Sequence, residues 1–302
     1  MRQFFARLFL FLGILLVCMV VSDYFYSLVC RDVRTANMEI WKDVMEGKAS
    51  ADLLFCGDSR ANTDCYPPVI DSITGHKSYS IGIIGHHFRI GRLRYDMYRR
   101  YNDKPLVVAH FVDNWTFSRE NKFEQYQFLP WMWNVAFAKD ALHLAPLYFL
   151  GKSVPWYRYH SFLLSDKDWS IRASHEGFFT YDLESYSCFP EDRYVFKENP
   201  VMENVFRSFI SGIRREGIKV VLVLPPLCGS ASFYGEAVRQ TKDCFKAIAK
   251  ECGVPVLDYL QVPVFEDSTL FIDSVHLNKK GAKVFSDSLA HDIMRLGLFN
   301  ND

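Results

Sequence analysis

The chain has 302 residues, 49% of them hydrophobic, which is material for one large α/β domain or two small ones with a real core and excludes global disorder. Its 35 basic and 35 acidic residues cancel, so no net field points to nucleic acid or an acidic polymer as partner. Arg2 and Arg7 precede an uncharged apolar run from Leu8 to Val21, with Phe4 and Phe5 before it and Tyr24, Phe25 and Tyr26 after it. A helix of about 20 residues with interfacial aromatics fits a membrane span, and the basic residues ahead of it keep the N-terminus in the cytoplasm. The run also suits the core of a cleaved signal peptide, although no small-x-small site follows Val21. Residues 1–30 are therefore read as a signal-anchor or transmembrane segment that exports the remainder, with secretion after cleavage as the alternative. Residues 31–50 read as a polar, partly helical connector.

The folded domain is expected over 51–302. Ala51 to Cys56 is a short apolar run ending at Gly57-Asp58-Ser59, the pattern of a buried strand entering a tight turn and a helix. Further buried strands are expected at Ser78 to Ile81, Pro105 to Val112, Ile218 to Leu224 and Val254 to Asp258. Between them, apolar residues recur at three- and four-residue spacing, as in Val205, Phe209 and Ile213, which predicts helices near 87–102, 200–216, 234–252 and 279–297. Strands alternating with helices of this length imply a parallel sheet covered on both faces, with ligands at the carboxyl ends of the strands. Residues 115–199 break the rhythm: Trp115, Trp131, Trp133, Trp156 and Trp169 lie among many Phe and Tyr, an insertion readable as a lid, a membrane-facing surface or a satellite core.

The eight cysteines form no CxxC pair and no zinc-type Cys/His spacing, so neither metal nor cofactor is expected. An oxidising compartment permits a disulfide among Cys228, Cys244 and Cys252, though spacing alone does not fix the pairing. His86, His87, His110, His160 and His175 have no partner at motif spacing and read as core or surface histidines.

A serine hydroxyl is a weak nucleophile at neutral pH and needs a base, a group that orients the base, and donors for the oxyanion it creates. Ser59 stands at the expected strand-to-helix turn, and Asp273-Ser-Val-His276 places an acid three residues before a histidine, just ahead of the last helix. Either element alone is commonplace, a turn with a cap or a surface pair. In this order they form a candidate nucleophile, base and orienting acid.

These segments resemble, in order, the blocks of the SGNH/GDSL hydrolase family. Leu53-Leu-Phe-Cys-Gly57-Asp58-Ser59-Arg60 resembles the first, with Arg60 where the family motif has Leu. Ser78-Tyr-Ser-Ile-Gly82-Ile-Ile-Gly85 resembles the second, whose glycine lends a backbone N–H to the oxyanion hole; Gly85 is the first choice and Gly82 the alternative. Asp113-Asn114 stands where the third block carries its oxyanion asparagine, but Val112 replaces the glycine and Trp115 follows the Asn. Asp273-Ser-Val-His276-Leu-Asn-Lys-Lys-Gly281 resembles the last. The resemblance implies a flavodoxin-like α/β/α fold of three layers and an acyl-enzyme mechanism with Ser59, His276 and Asp273 as the triad and Ser59, Gly85 and Asn114 as the oxyanion hole. Asp58 is read as a turn residue and Arg60 as a solvated helix residue, with an anionic substrate as its other possible partner.

Three functions follow as expectations. The first is an esterase acting on O-acyl groups, acetyl above all, of an extracytoplasmic glycan. The second is an O-acyltransferase that passes the acyl group to a cell-surface polysaccharide beside a membrane-embedded acyltransferase partner. The third is a non-catalytic glycan-binding scaffold, against which the intact Ser/Asp/His set argues.

Overall fold

The computed structural model describes residues 1–31, 36–85, 88–117, 176–179, 195–229 and 235–300. The chain divides into two units, one holding the N-terminal helix α1 (Arg2–Arg31) and the other, Glu39–Arg119 with Ala173–Asp302, holding the sheet. Within α1, Arg2–Ser22 is a 21-residue segment long and apolar enough to cross a membrane, and a signal sequence meets the same criterion.

The sheet is built from β1 (Leu53–Cys56), β2 (Ser78–Ser80), β3 (Val107–Phe111), β4 (Lys219–Leu224) and β5 (Val256–Asp258). Its order is β2-β1-β3-β4-β5 and every pairing is parallel. Each expected strand forms, trimmed by one or two residues at its ends. The strand order reverses between β1 and β3, and the crevice outside the carboxyl ends at such a switch point is where open α/β sheets bind ligands. Cys56 is level with His110 in the β1/β3 register, so the segments beginning at Gly57 and Val112 emerge side by side into that crevice.

Alternation along the strands loads both faces. Phe55, Ala109, Phe111, Val221 and Val223 point to a core shared with α4 (Pro67–Thr74) and α8 (Lys279–Arg295), through Ile70, Phe285, Leu289 and Ile293. On the opposite face His110 packs among Phe88 of α5 (Phe88–Tyr101) and Phe206 and Phe209 of α6 (Pro200–Arg215). Phe206 also meets Phe245 of α7 (Gly235–Cys252). Burial pulls the His110 imidazole down to about 4, so it is a neutral core aromatic.

Three features depart from the sequence-based expectation. Helix α4 is an element the sequence reading did not name; prolines occupy its first turn, where their missing N–H groups are no loss, and Gly75 caps its end in the left-handed region at φ 71°. The connector is not merely polar: helix α2 (Ala36–Met45) buries Ile40, Trp41 and Val44, and the Arg94 guanidinium lies 4.9 Å from the Trp41 ring centroid. The pairing among Cys228, Cys244 and Cys252 does not form, since Cys244 and Cys252 are free thiols whereas Cys228 is disulfide-bonded.

Most of the aromatic insertion, with Trp131, Trp133, Trp156 and Trp169, lies outside the described residues, as do His86, His87, His160 and His175. Three short pieces of it are described, 115–117, 176–179 and 195–199, and the second is tied to the sheet. Ser80 donates its backbone N–H to the Glu176 carbonyl at 2.9 Å, and Asn62 donates its side-chain amide to the Gly177 carbonyl at 2.8 Å. Gly177 has φ 72° and a Cβ there would sit 2.0 Å from the Ser80 carbonyl oxygen, so only glycine fits. Glu176 to Phe179 is thus packed onto the edge strand and the helix that follows β1, not suspended as a lid.

Candidate active site

The chain leaves β1 at Cys56, turns at Gly57 and enters the short helix α3 (Ser59–Thr63). Gly57 is required by close approach: a Cβ there would lie 2.7 Å from that of Phe111 on β3. Asp58 is the N-cap, its carboxylate accepting the Arg60 backbone N–H at 3.0 Å, which fixes Ser59 as the first helical residue. Ser59 is therefore half-buried at the carboxyl edge of the sheet, with its own N–H among the orphan donors of the helix N-terminus.

The partner loop is folded back on itself just ahead of α8. Phe271 and Leu277 form an isolated antiparallel bridge, Ile272 donates its N–H to the His276 carbonyl at 3.0 Å, and both Phe271 and Leu277 are fully buried. Asp273 accepts the backbone N–H groups of Val275 at 2.8 Å and His276 at 2.7 Å. The same carboxylate reaches His276 Nδ1 at 2.8 Å, and His276 Nε2 lies 2.8 Å from Ser59 Oγ. A carboxylate opposite Nδ1 places the proton there, leaving Nε2 as the acceptor for the Ser59 hydroxyl.

Electrostatics support that assignment. Burial pulls the His276 imidazole down, but the Asp273 hydrogen bond and charge, with the charges of Asp64 and Asp58, outweigh it and hold the pKa above its ordinary value. Burial pushes the Asp273 carboxyl up, yet its bonds to His276 and to two backbone N–H groups leave it below the usual range. The arrangement is an ionised acid, an imidazole made more basic, and a hydroxyl aligned on the free ring nitrogen.

Arg60 is where the sequence reading goes wrong. It is 2% exposed, and its Nη2 donates to Asp113 Oδ2 at 2.8 Å. Because α3 plunges into the crevice between β1 and β3, the residue after Ser59 faces the loop after β3, not solvent. Burial opposes the charge on Asp113, but Arg60, Thr116 and the Trp115 N–H hold its carboxyl below the ordinary range. Burial and the neighbouring Asp113 charge hold the Asp58 carboxyl well above it.

The expected oxyanion donors are placed less directly. Gly82 is buried and its N–H faces Ser80 Oγ at 3.3 Å, so the alternative glycine is engaged elsewhere. Gly85 lies beyond it on an exposed turn. Asn114 emerges from β3 next to Asp113 at the crevice, but it is 2% exposed and its Nδ2 faces the Val195 carbonyl at 3.5 Å. His276 thus contacts both Ser59 and Asp273, whereas Gly85 and Asn114 follow β2 and β3 and form no hydrogen bond with these three among the described residues.

One residue beside the triad escaped the sequence reading. Asp64, the C-cap of α3, is fully buried, and its Oδ1 accepts the Leu277 N–H at 3.2 Å and the Thr63 hydroxyl at 2.8 Å. Its only signal is position, five residues after Ser59. Among the described residues no group of three or more His, Cys, Asp or Glu side chains is arranged to hold a metal ion.

Fold and site together define a parallel α/β protein with a hydrogen-bonded Ser–His–Asp arrangement at the switch point of its sheet. No protein-family model matches the chain, and neither does any curated protein.

Proposed function

We propose that the protein is a serine esterase of the SGNH type that removes O-acyl groups, acetyl foremost, from an extracytoplasmic glycan. The observation that carries this is the pair of 2.8 Å contacts linking Ser59 Oγ to His276 Nε2 and His276 Nδ1 to Asp273, at the carboxyl edge of a parallel sheet. His276 takes the Ser59 proton as the oxygen attacks the ester carbonyl, and Asp273 stabilises the imidazolium that forms. The carbonyl π electrons move onto oxygen, received by the N–H groups of Ser59 and Gly85 and the amide of Asn114, whose side chain turns from Val195 to do so. Collapse expels the alcohol with the proton from His276 and leaves an acyl-Ser59 ester. Water, deprotonated by the same imidazole, releases the acid.

The apolar helix α1 favours a second outcome for the acyl-enzyme. If it anchors the chain beside a membrane-embedded acyl donor, a sugar hydroxyl replaces water and the protein is an O-acyltransferase. Purified protein is expected to hydrolyse p-nitrophenyl acetate, and Ser59→Ala to reduce the rate to background while remaining folded. Equal rates for the two would end the enzyme proposal. Mass spectrometry of added glycans separates the outcomes, since only a transferase increases their acyl content.

A further inference from the structure

Asp64 sits where the nucleophile's helix and the base's loop meet. Its backbone N–H caps α3 onto the Arg60 carbonyl, and its carboxylate ties down the Leu277 N–H, the residue next to His276. Its carbonyl receives the Ser286 hydroxyl of α8 at 3.4 Å. One side chain thus joins the two segments whose separation sets the Ser59–His276 distance. Its Oδ2 has no hydrogen-bond partner among the described residues, although it is fully buried. An uncompensated carboxylate oxygen in the interior destabilises a fold, and an asparagine would offer the same N–H an oxygen without a buried charge.

We propose that Asp64 is a positioning residue for the base: a second buried carboxylate that clamps the His276 loop to the Ser59 helix through the Leu277 N–H and couples electrostatically to the imidazole. This inference rests on the esterase proposal for its catalytic consequence, but not for the electrostatic coupling itself. The charges facing His276 are Asp273 on its own loop, Asp64 at the end of α3, and Asp58 at its start. Those facing Asp64 are His276 across the junction and Arg60 on its own helix, with the Thr63 hydroxyl and Leu277 N–H as neutral donors. Asp273 fixes the tautomer through Nδ1; Asp64 acts on the ring charge without touching either nitrogen's proton.

Asp64→Asn keeps an oxygen for the Leu277 N–H and removes only the charge, so it separates clamp from field. In the full-length protein it is expected to shift the acid limb of the kcat/KM profile to lower pH and to lower the plateau about three- to tenfold, with KM little changed. An unshifted limb in active, folded Asp64→Asn overturns the proposal and leaves the esterase reading intact. Should Asp64→Asn fail to fold, labelled-histidine NMR of the unaltered protein decides instead: the His276 ring signal shows a second inflection as Asp64 titrates, and a single inflection overturns the coupling. That readout needs no turnover, so a protein without esterase activity still tests it.

Discussion

At the scale of single residues, the site is defined by how charge is distributed around one imidazole. In the proposed mechanism its neutral form is the base, so activity should rise with pH through the His276 pKa, and the midpoint should lie above that of a free histidine because Asp273 favours the protonated ring. A kcat/KM profile between pH 5 and 9 checks the direction. Asp273→Asn, which disturbs the tautomer but not the packing, is expected to lower kcat by about 10³- to 10⁴-fold. Arg60 has the opposite kind of role. Truncating it to Ala strands Asp113 in the interior, and removing one partner of a buried pair costs about 3 to 5 kcal/mol, which a chemical melt will register before any kinetic effect is separable. Asp64 adds a pH signature of stability. Burial raises its carboxyl from an ordinary 3.8 to about 6, so the folded state holds this proton more tightly than the unfolded chain. Its contribution to stability is then present below the unfolded value, declines as pH rises towards 6 and is flat above. Asp64→Asn should therefore gain on wild type between pH 4 and pH 7 by at most about 3 kcal/mol, read from urea midpoints at the two pH values.

At the scale of elements, legibility followed hydrophobic pattern. All five strands and the four long helices of the sheet unit were readable because each is an apolar run or a periodic stripe that the sheet must bury. The Asp273–His276 contact was readable because both residues come from one loop, whereas the contact of His276 with Ser59, 217 residues away, was expected only from the order of the blocks that the sequence resembles. Arg60 and Asp64 were not readable, since each is polar by type and buried only through the meeting of α3 with the β3 and His276 loops, which are distant in sequence. Helix α2 was missed as core for a related reason: Ile40, Trp41 and Val44 are three apolar residues in a charged segment, and only the packed fold shows them covered. Gly177 gives the element-scale test. Gly177→Ala forces a Cβ into the Ser80 carbonyl and strains a left-handed backbone, and it is expected to lower the melting temperature by several degrees, with the Glu176–Ser80 bond lost.

At the scale of the whole molecule, a doubly wound sheet supplies the rigid edge and its switch point supplies the crevice. The strand order puts the Ser59 turn and the Asp113-Asn114 loop on adjacent strands, and α8 carries the His276 loop back across the same edge. The exported orientation expected for an N-terminal anchor is checked by fractionation and protease protection of full-length protein. An anchor keeps the intact chain in the membrane pellet with its large unit accessible from outside, and a cleaved signal releases a shorter chain. The central claim, that Ser59 is a nucleophile activated by His276 and Asp273, is tested most directly by a fluorophosphonate probe followed by peptide mass spectrometry. A working relay predicts stoichiometric labelling of the Ser59 peptide that disappears in His276→Ala; a folded wild-type protein that stays unlabelled, or is labelled elsewhere, contradicts it.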